Sequence, residues 1–427
     1  MRPGTFFAAL FLILLSSRLC HVDILWAEED LPMAAATQMQ FGKALYRDIW
    51  FDKPPLLASI NLAWEVRTGW PLRLAGALYA LLACWLAYRG RAFWSGAAAG
   101  VAMLINTKAL FVLAACAVWC FPAVGLLAVG FAAVNVMAAA WLAWTGALFP
   151  YIDQVWRWGF LYAGTTFLEH PVRDGVIRTA AWLGFHGTLV VAAFWWLVQS
   201  RACPVRWKLL AWAALSLAAA VVGWRFFPRY FFQFLPVLVI GASRGMVLLG
   251  RKRALALVLL LIPLVRFGPR YVMLARDLST GRPHAWNDVA MDQDSRAAAR
   301  LAQQFSRPGD SLFVWGFRPD LWVYTGLPAA TRFLDSQPLT GVPADRHLTQ
   351  SAPVASDFTR ANREELARSR PSIVIDGLSL FNPALAMDRY PELRLWLAQY
   401  QEIARTPTTV IYRLSAAPAR PPLPEKR

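Results

Sequence analysis

Charged residues are scarce in this chain of 427 residues, since Asp, Glu, Lys and Arg together make up only 16% of it. In soluble globular domains about a quarter of the residues are charged. The apolar and aromatic types A, V, I, L, M, F, W, Y and C account for 57%, and the mean hydropathy is +0.40. These values exclude a disordered, collagen-like or purely soluble chain. The apolar residues come in long runs, which indicates an integral membrane protein.

Acidic residues are the scarcer charged class, with 26 Asp and Glu against 43 Lys and Arg. The basic residues form short clusters between apolar runs, for example Arg251-Lys252-Arg253. Such clusters are typical of membrane proteins, where they contact anionic headgroups and bias topology. The sequence has no basic or aromatic motif for nucleic-acid recognition, so we expect no nucleic-acid partner.

Cysteine is rare as well, and the five cysteines lie in or beside apolar runs. None follows Arg270, so the C-terminal region carries no disulfide. Cys116 and Cys120 share a helix face, but no further Cys or His is near enough in sequence to complete a metal site. A divalent cation held by carboxylates stays an open alternative, although no spaced set of ligands demands one. We therefore predict no metal site and no certain cofactor.

The apolar runs define a membrane region in the first part of the chain. About ten runs lie between residues 5 and 267, and several are shorter than the roughly 20 residues that a full span needs. Short runs are typical of tilted, broken or re-entrant segments. We predict a polytopic α-helical membrane domain over residues 1–269, with external loops at about 21–55 and 150–178.

The composition changes at about residue 270, where the long apolar runs stop and Pro, Asp and other charged residues appear. Short apolar runs predict buried strands at 311–315, 372–375 and 409–412. Helices are predicted between them at 296–305, 363–369 and 392–400. This alternation predicts a C-terminal soluble α/β domain over residues 270–415. The Pro-rich tail, residues 416–427, is predicted to be disordered.

The loop after the first apolar run concentrates charged residues beside the membrane. Its candidate functional residues are Glu28, Glu29 and Asp30, then Tyr46, Arg47 and Asp48, then Asp52 and Lys53. A carboxylate near the bilayer can take a proton from an acceptor hydroxyl. A cation there can hold a lipid-linked phosphate. The competing interpretation is a hydrated loop with interfacial charges.

Residues 28–56 resemble the first external loop of the GT-C membrane glycosyltransferases. The most similar branch is the one related to protein O-mannosyltransferases and lipid A aminoarabinose transferases. That branch has an acidic pair, a short helix, Tyr-Arg-Asp and a Lys-Pro-Pro-Leu step, and this chain has those features in the same order. Residues 100–108 (GVAMLINTK), 226–236 (FFPRYFFQFLP) and 313–340 resemble three further parts of the same branch.

The resemblance implies a GT-C fold and an inverting transfer of sugar from a polyprenyl phosphate. The acceptor would be an envelope glycan, a lipid or a protein. The reaction would take place at the outer face of a bacterial cytoplasmic membrane, with the C-terminal domain also external and membrane lipids around the helices. No nucleotide sugar is expected, which agrees with the lack of a Gly-rich phosphate loop.

Carried onto this sequence, the resemblance assigns the catalytic base to Glu28 and Glu29, with Asp30 as a substitute. Lys53 matches the Lys of the Lys-Pro-Pro step. Lys108 interrupts an apolar stretch, where an ionisable residue suggests function, although a lysine at a helix end also snorkels to the interface. The predicted substrate-binding residues are Tyr46, Arg47, Asp48, Asp52, Lys53, Lys108, Arg229 and Tyr230.

The chain departs from that branch between residues 88 and 93, where family members carry about two more helices and a second acidic residue. Asp153 or Glu169 would then take the role of that residue. Two other functions stay open. One is a transporter or flippase of lipid-linked sugars, which charges paired within broken helices would favour. The other is a catalytically inactive relative that acts as a scaffold.

Overall fold

The computed structural model describes residues 29–74, 92–201, 203–282, 286–343 and 352–415, with isolated positions before residue 26. This part of the chain is mostly helical and contains one small mixed sheet. The chain forms two compact units. Unit 1 consists of Met1–Val22, Asp52–Leu57 and Trp70–Trp286. Unit 2 consists of Asp23–Phe51, Ala58–Gly69 and Asn287–Arg427.

The described α-helices before residue 286 are numbered in chain order. They are α1 (Asp30–Gln40), α2 (Leu56–Ala63), α3 (Ala92–Met103), α4 (Ala109–Cys120), α5 (Val124–Trp144), α6 (Leu148–Tyr151), α7 (Trp158–Gly164), α8 (Pro171–Phe185), α9 (Gly187–Gln199), α10 (Val205–Val221), α11 (Leu235–Leu249), α12 (Arg253–Val258) and α13 (Leu261–Thr280). A π-helical segment, Ile152–Arg157, joins α6 to α7. The 3-10 segments Pro228–Phe234 and Gly250–Lys252 flank α11.

Two helical stretches of the described residues are long and apolar enough to cross a membrane, namely α5 and Pro228–Val258. The helices α8 and α9 form a third if the pair, bent by 90°, makes one span. The apolar helices α3 and α4 have only 12 residues each. The described residues therefore contain two or three candidate spans and do not clearly form the roughly ten predicted segments, because most of the other apolar helices are too short to cross a membrane. The predicted segments at 5–17 and 72–88 lie largely outside the described residues.

Small residues allow the helices of unit 1 to approach each other closely. A Cβ atom added to Gly96 of α3 would lie 1.9 Å from the Leu127 carbonyl oxygen of α5. A Cβ atom on Gly130 of α5 would lie 2.1 Å from the Phe93 carbonyl oxygen of α3. The two helices therefore pack backbone against backbone, as helices in membranes often do through small residues.

Unit 2 contains the sheet and the helices that follow residue 286. These elements are α14 (Asn287–Phe305), β1 (Leu312–Trp315), α15 (Asp320–Thr325), α16 (Gln337–Thr340), α17 (Ser356–Arg368), β2 (Ile373–Asp376), α18 (Pro391–Leu397), β3 (Tyr400–Arg405) and β4 (Val410–Leu414). The strand order is β1-β2-β4-β3. The pair β1 and β2 is parallel, whereas β4 is antiparallel to both of its neighbours.

The three predicted strands of the C-terminal region are confirmed as β1, β2 and β4. Every residue of β1 and β2 is buried, as the apolar runs at Leu312–Trp315 and Ile373–Ile375 indicated, and the burial extends to Asp376 at the end of β2. The prediction of a helix up to Tyr400 is wrong at its end, because Tyr400–Arg405 forms the edge strand β3. Three of its six residues are exposed, so its sequence lacks the apolar run that identified the other strands. The tail, residues 416–427, lies outside the described residues.

The N-terminal segment Asp23–Phe51 packs with the C-terminal part of unit 2, Asn287–Arg427. Its helix α1 contacts α15, and the backbone N–H of Trp50 donates to the carbonyl oxygen of Arg332 at 2.6 Å. The sequence placed this segment in an external loop of a membrane domain ending at residue 269. In the structure, Asp23–Phe51 and Asn287–Arg427 instead belong to the same compact unit.

Arg318 lies at the centre of unit 2 and has no exposed surface. It forms ion pairs with Asp294 at 3.4 Å and with Asp320 at 3.8 Å, and its guanidinium also donates to the Met291 carbonyl oxygen. Both carboxylates are buried as well. One cation therefore neutralises two buried anions that lie on α14 and α15.

Replacing Arg318 with Met should destabilise unit 2 by about 3–5 kcal/mol, since removal of one partner leaves buried charge uncompensated. Chemical unfolding of the purified protein in detergent measures the loss. The matched control is Arg360→Met, which removes an exposed ion pair with Asp357 and should cost less than about 1 kcal/mol. Equal losses in the two variants would contradict this account.

Candidate functional site

Five basic and aromatic side chains come together in unit 1. We call them the basic-aromatic cluster: Lys108, Tyr162, Arg225, Arg229 and Tyr230. Lys108 ends the turn between α3 and α4, and Tyr162 lies on α7. Arg225 follows α10, and the last two residues lie in the 3-10 segment Pro228–Phe234. Residues from four separate parts of the chain therefore meet in one place.

The two tyrosine rings are the centre of the cluster. The Lys108 Nζ atom lies 3.6 Å from the centroid of the Tyr230 ring. The guanidinium carbon of Arg225 lies 4.0 Å from the centroid of the Tyr162 ring, and that of Arg229 lies 5.8 Å from the Tyr230 centroid. The hydroxyls of Tyr162 and Tyr230 are 3.2 Å apart. Cation–π contacts thus hold positively charged groups against the Tyr162 ring and against the Tyr230 ring.

Arg225 is buried without a full set of hydrogen bonds. Only 1% of the residue is exposed. Its Nη2 group donates to the Thr165 hydroxyl at 3.1 Å, whereas Nε and Nη1 have no hydrogen-bond partner among the described residues. A buried guanidinium normally faces a carboxylate, because removing a charge from water is costly. Among the described residues no carboxylate forms an ion pair with it.

Lys108 has the same deficiency. Its Nζ atom is buried and has no hydrogen-bond partner in the described part of the chain. Burial lowers the pKa of Lys108 to about 8, and the positive charge of Arg229 acts in the same direction. Two cations therefore lie close enough to repel each other. An anion placed between them would remove that repulsion and accept their unused hydrogen bonds.

The backbone before Arg229 explains why Arg225 points inward. Trp224 and Phe226 have φ angles of +49° and +48°, in the left-handed region that bulky residues rarely adopt. The Trp224 carbonyl oxygen accepts a hydrogen bond from the Thr166 hydroxyl at 2.7 Å. Phe226 is fixed in an aromatic core with Trp182. The chain on both sides of Arg225 is therefore held by packing and hydrogen bonding, which stabilises the unusual turn.

Two of the predicted catalytic residues, Glu29 and Asp30, belong to unit 2. Glu28 lies outside the described residues. Glu29 immediately precedes α1, and Asp30 is the first residue of that helix. Asp30 is 2% exposed, and its Oδ1 atom accepts a hydrogen bond from the Leu31 backbone at 2.6 Å.

The motif Tyr46-Arg47-Asp48 forms a compact turn in unit 2. Tyr46 has a φ angle of +67°, is fully buried, and packs its ring 6.1 Å from that of Phe51. Asp48 accepts a hydrogen bond from the Ala44 backbone at 2.9 Å. The hydrogen bond from the Arg47 guanidinium, together with the positive charge of that group, holds the pKa of the Asp48 carboxyl below its usual range. In the structure these residues shape the turn, and their predicted role in substrate binding stays a prediction.

Asp52 and Lys53 belong to unit 1, where Lys53 Nζ and Asp52 Oδ2 are 3.1 Å apart. The second carboxylate oxygen, Oδ1, is buried and has no hydrogen-bond partner among the described residues. Three residues later, the Leu56 backbone N–H donates to the Leu104 carbonyl oxygen at 3.0 Å. This bond brings the Asp52–Leu57 segment beside the turn that ends at Lys108.

Of the predicted binding residues, the structure brings Lys108, Arg229 and Tyr230 together. The sequence interpretation missed Arg225 and Tyr162. Arg225 stands between two aromatic residues at the end of an apolar run, where it reads as an interfacial anchor. The signal that would have found it is a charged residue within a Trp-Arg-Phe-Phe string. Among the described residues, no group of three or more His, Cys, Asp or Glu side chains is placed to hold a metal ion.

No protein-family model matches the chain, and searches of curated proteins and of solved structures return no significant match.

If the cluster is built for an anion, removing one cation should stabilise the protein while the site is empty. Lys108→Met keeps the length of the side chain but removes a buried, unpaired charge, which typically costs about 1–3 kcal/mol. We expect the Tm of the purified protein in detergent to rise. The control is Lys208→Met, whose ammonium is exposed and hydrogen-bonded to the Trp119 carbonyl oxygen. A lower Tm for Lys108→Met would show that this lysine is a structural cation.

Proposed function

We propose that this protein is a membrane glycosyltransferase that moves a sugar from a polyprenyl-phosphate donor to an acceptor at the outer face of the cytoplasmic membrane. The acceptor is an envelope glycan, a lipid or a protein. The proposal includes a GT-C type bundle, in which the short helices α3 and α4 supply membrane crossings beside α5 and Pro228–Val258. The basic-aromatic cluster is the observation that carries it.

The cluster has the properties that a phosphate site needs. Lys108 and Arg225 offer buried N–H groups that have no protein acceptor. Charge-assisted hydrogen bonds from such groups to phosphate oxygens are among the strongest in proteins. The hydroxyls of Tyr162 and Tyr230 are hydrogen-bonded to each other, and the one that accepts this bond keeps a neutral O–H donor. A bound phosphate would accept the hydrogen bonds that these buried groups leave unused.

The position of the cluster in the chain suits a lipid carrier. Arg229 and Tyr230 lie in the first turn of the apolar stretch Pro228–Val258. In a membrane protein the ends of such stretches lie at the bilayer surface, where the phosphate of a polyprenyl lipid also lies. A soluble anion would have no need of a site at this position.

The chemistry divides between the cations and the carboxylates. The acceptor hydroxyl attacks the anomeric carbon, and a new C–O bond forms as the bond from that carbon to the phosphate oxygen breaks. The phosphate leaves with the electron pair, and the cations stabilise its growing negative charge. A carboxylate takes the hydroxyl proton. We assign that role to Glu28 or Glu29, with Asp30 as the substitute.

Binding of a polyprenyl phosphate tests the anion site directly. Arg225→Met should weaken binding about 10- to 100-fold, because a hydrogen bond to a charged group contributes about 1.5–3 kcal/mol. Binding of a radiolabelled short-chain polyprenyl phosphate to protein in nanodiscs provides the measurement. Arg173→Met, which changes an exposed arginine of α8 in the same unit, is the control and should bind normally. Normal binding by Arg225→Met would exclude the cluster as the phosphate site.

The pH dependence of the same binding reaction tests Lys108. Its pKa of about 8 in the free protein means that the ammonium form predominates below pH 8. Because a phosphate favours that charged form, affinity should be full below pH 8 and should fall as the pH rises above 8. Lys108→Arg, which stays charged, should bind equally well from pH 8 to pH 9.5. A wild-type affinity that is constant over this range would contradict the assignment.

Transfer itself is tested with the double variant Glu28→Gln/Glu29→Gln. Loss of a general base typically costs about 10²- to 10⁴-fold in kcat, whereas donor binding should not change. The assay incubates the purified protein with a panel of radiolabelled polyprenyl-phosphate sugars and membrane extract. Glu65→Gln, the same substitution at an exposed position, is the control. Full activity in the double variant would move the base to Asp30 or Asp153.

Two results would favour the other functions. Movement of the intact lipid-linked sugar across a bilayer, without release of the sugar, would indicate a transporter. Donor binding without transfer or transport would indicate an inactive scaffold.

A further inference from the structure

The helix α1 is a core element of unit 2, although it lies far in sequence from Asn287–Arg427, the largest part of that unit. Nine of its eleven residues are buried, and Ala34, Ala35 and Ala36 have no exposed surface at all. A helix buried on every face belongs to the interior of a domain. Glu29 and Asp30, two of the candidate bases, lie at the N-terminal end of this helix.

Gln38, near the other end of α1, ties the helix to the sheet. Its side chain is fully buried. The amide oxygen accepts a hydrogen bond from the Ala329 backbone at 2.7 Å, and the amide nitrogen donates to the Leu327 carbonyl oxygen at 3.2 Å. One side chain thus makes the two reciprocal bonds that a neighbouring strand would make. The partner segment is itself hydrogen-bonded to Leu312 of β1.

Further bonds hold the chain on both sides of α1. After the helix, Lys43 donates to the Ala329 carbonyl oxygen, and the Trp50 backbone donates to Arg332. Before the helix, the backbone N–H of Leu25 donates to a carboxylate oxygen of Asp292 at 3.2 Å. All of these partners lie in unit 2. The segment that carries the acidic residues is therefore anchored by the C-terminal part of the chain.

We infer that the C-terminal part of unit 2, Asn287–Arg427, serves the proposed transfer by setting the position of the carboxylates of Glu29 and Asp30, with Gln38 as a positioning residue. This inference rests on the proposed function. The helix is a rigid element that connects the amide of Gln38 to both acidic residues. A shift or rotation of α1 moves their carboxylates, and a displacement of about 1 Å typically costs about 10²-fold in rate.

The test compares Gln38→Leu with the wild-type protein in nanodiscs. The variant cannot pair with Leu327 and Ala329, so kcat for transfer from the polyprenyl-phosphate sugar panel should fall about 10- to 100-fold. The affinity for a short-chain polyprenyl phosphate should not change, because the basic-aromatic cluster belongs to unit 1. Hydrogen exchange at the Ala329 amide should accelerate, since that N–H loses its acceptor.

Two more variants separate positioning from general stability. Gln38→Glu keeps an acceptor for the Ala329 amide but loses the donor to Leu327, so its kcat should lie between those of the wild type and Gln38→Leu. Gln40→Leu changes an exposed residue of the same helix and should leave kcat and exchange unchanged. This graded response, at constant donor affinity, is not expected from a purely structural residue.

The outcomes distinguish the inference from the function on which it rests. Normal kcat in Gln38→Leu, together with faster exchange at Ala329, would refute the positioning role and leave the transferase proposal intact. Loss of donor binding in Gln38→Leu, or equal loss of kcat in Gln40→Leu, would also refute it. A wild-type protein that binds polyprenyl phosphate but transfers sugar from no donor would overturn both proposals.

Discussion

A buried positive charge that has no counterion among the described residues is the constraint on which the site in unit 1 depends. The guanidinium of Arg225 lies against the ring of Tyr162, and two of its nitrogen atoms have no hydrogen-bond partner among the described residues. Aromatic faces offset only part of the cost of removing such a group from water. The protein nevertheless holds it there with a turn in which Trp224 and Phe226 adopt positive φ angles. The proposed anion would account for both of these unfavourable features, which occur at one place.

The cations and the carboxylates of the proposed transfer belong to different compact units. The cations come from helix ends and turns of unit 1, where close-packed helices leave little freedom of movement. Of the candidate carboxylates, Glu29 immediately precedes α1 and Asp30 begins it, and Gln38 ties that helix to Leu327 and Ala329. In both units the proposed functional groups lie on elements that are held by packing and by hydrogen bonds from neighbouring residues. Catalytic groups need such support to keep their positions.

The sequence predicted those features that depend on local pattern. Strands β1 and β2 were recognisable because buried strands carry short apolar runs. Lys108 was recognisable because its charge interrupts an apolar run. Features that depend on distant partners were not. Gln38 reads as a surface residue, yet its two partners lie 289 and 291 residues later in the chain. Arg225 and Tyr162 belong to one cluster because Thr165 and Thr166, which follow α7, are hydrogen-bonded to Arg225 and Trp224, which follow α10. The aromatic residues around Arg225 do not predict the positive φ angles of Trp224 and Phe226.

Because unit 2 is built from segments that are far apart in sequence, its folding depends on the order of synthesis. Its N-terminal part, Asp23–Phe51, leaves the ribosome long before its partner Asn287–Arg427 exists. At a synthesis rate of about 5–20 residues per second, roughly 10–50 seconds pass between the two. During that interval the apolar surface of α1 has no sheet to cover it. Unit 2 can therefore close only after Asn287–Arg427 has been synthesised, and until then the apolar surface of α1 must be kept from aggregation.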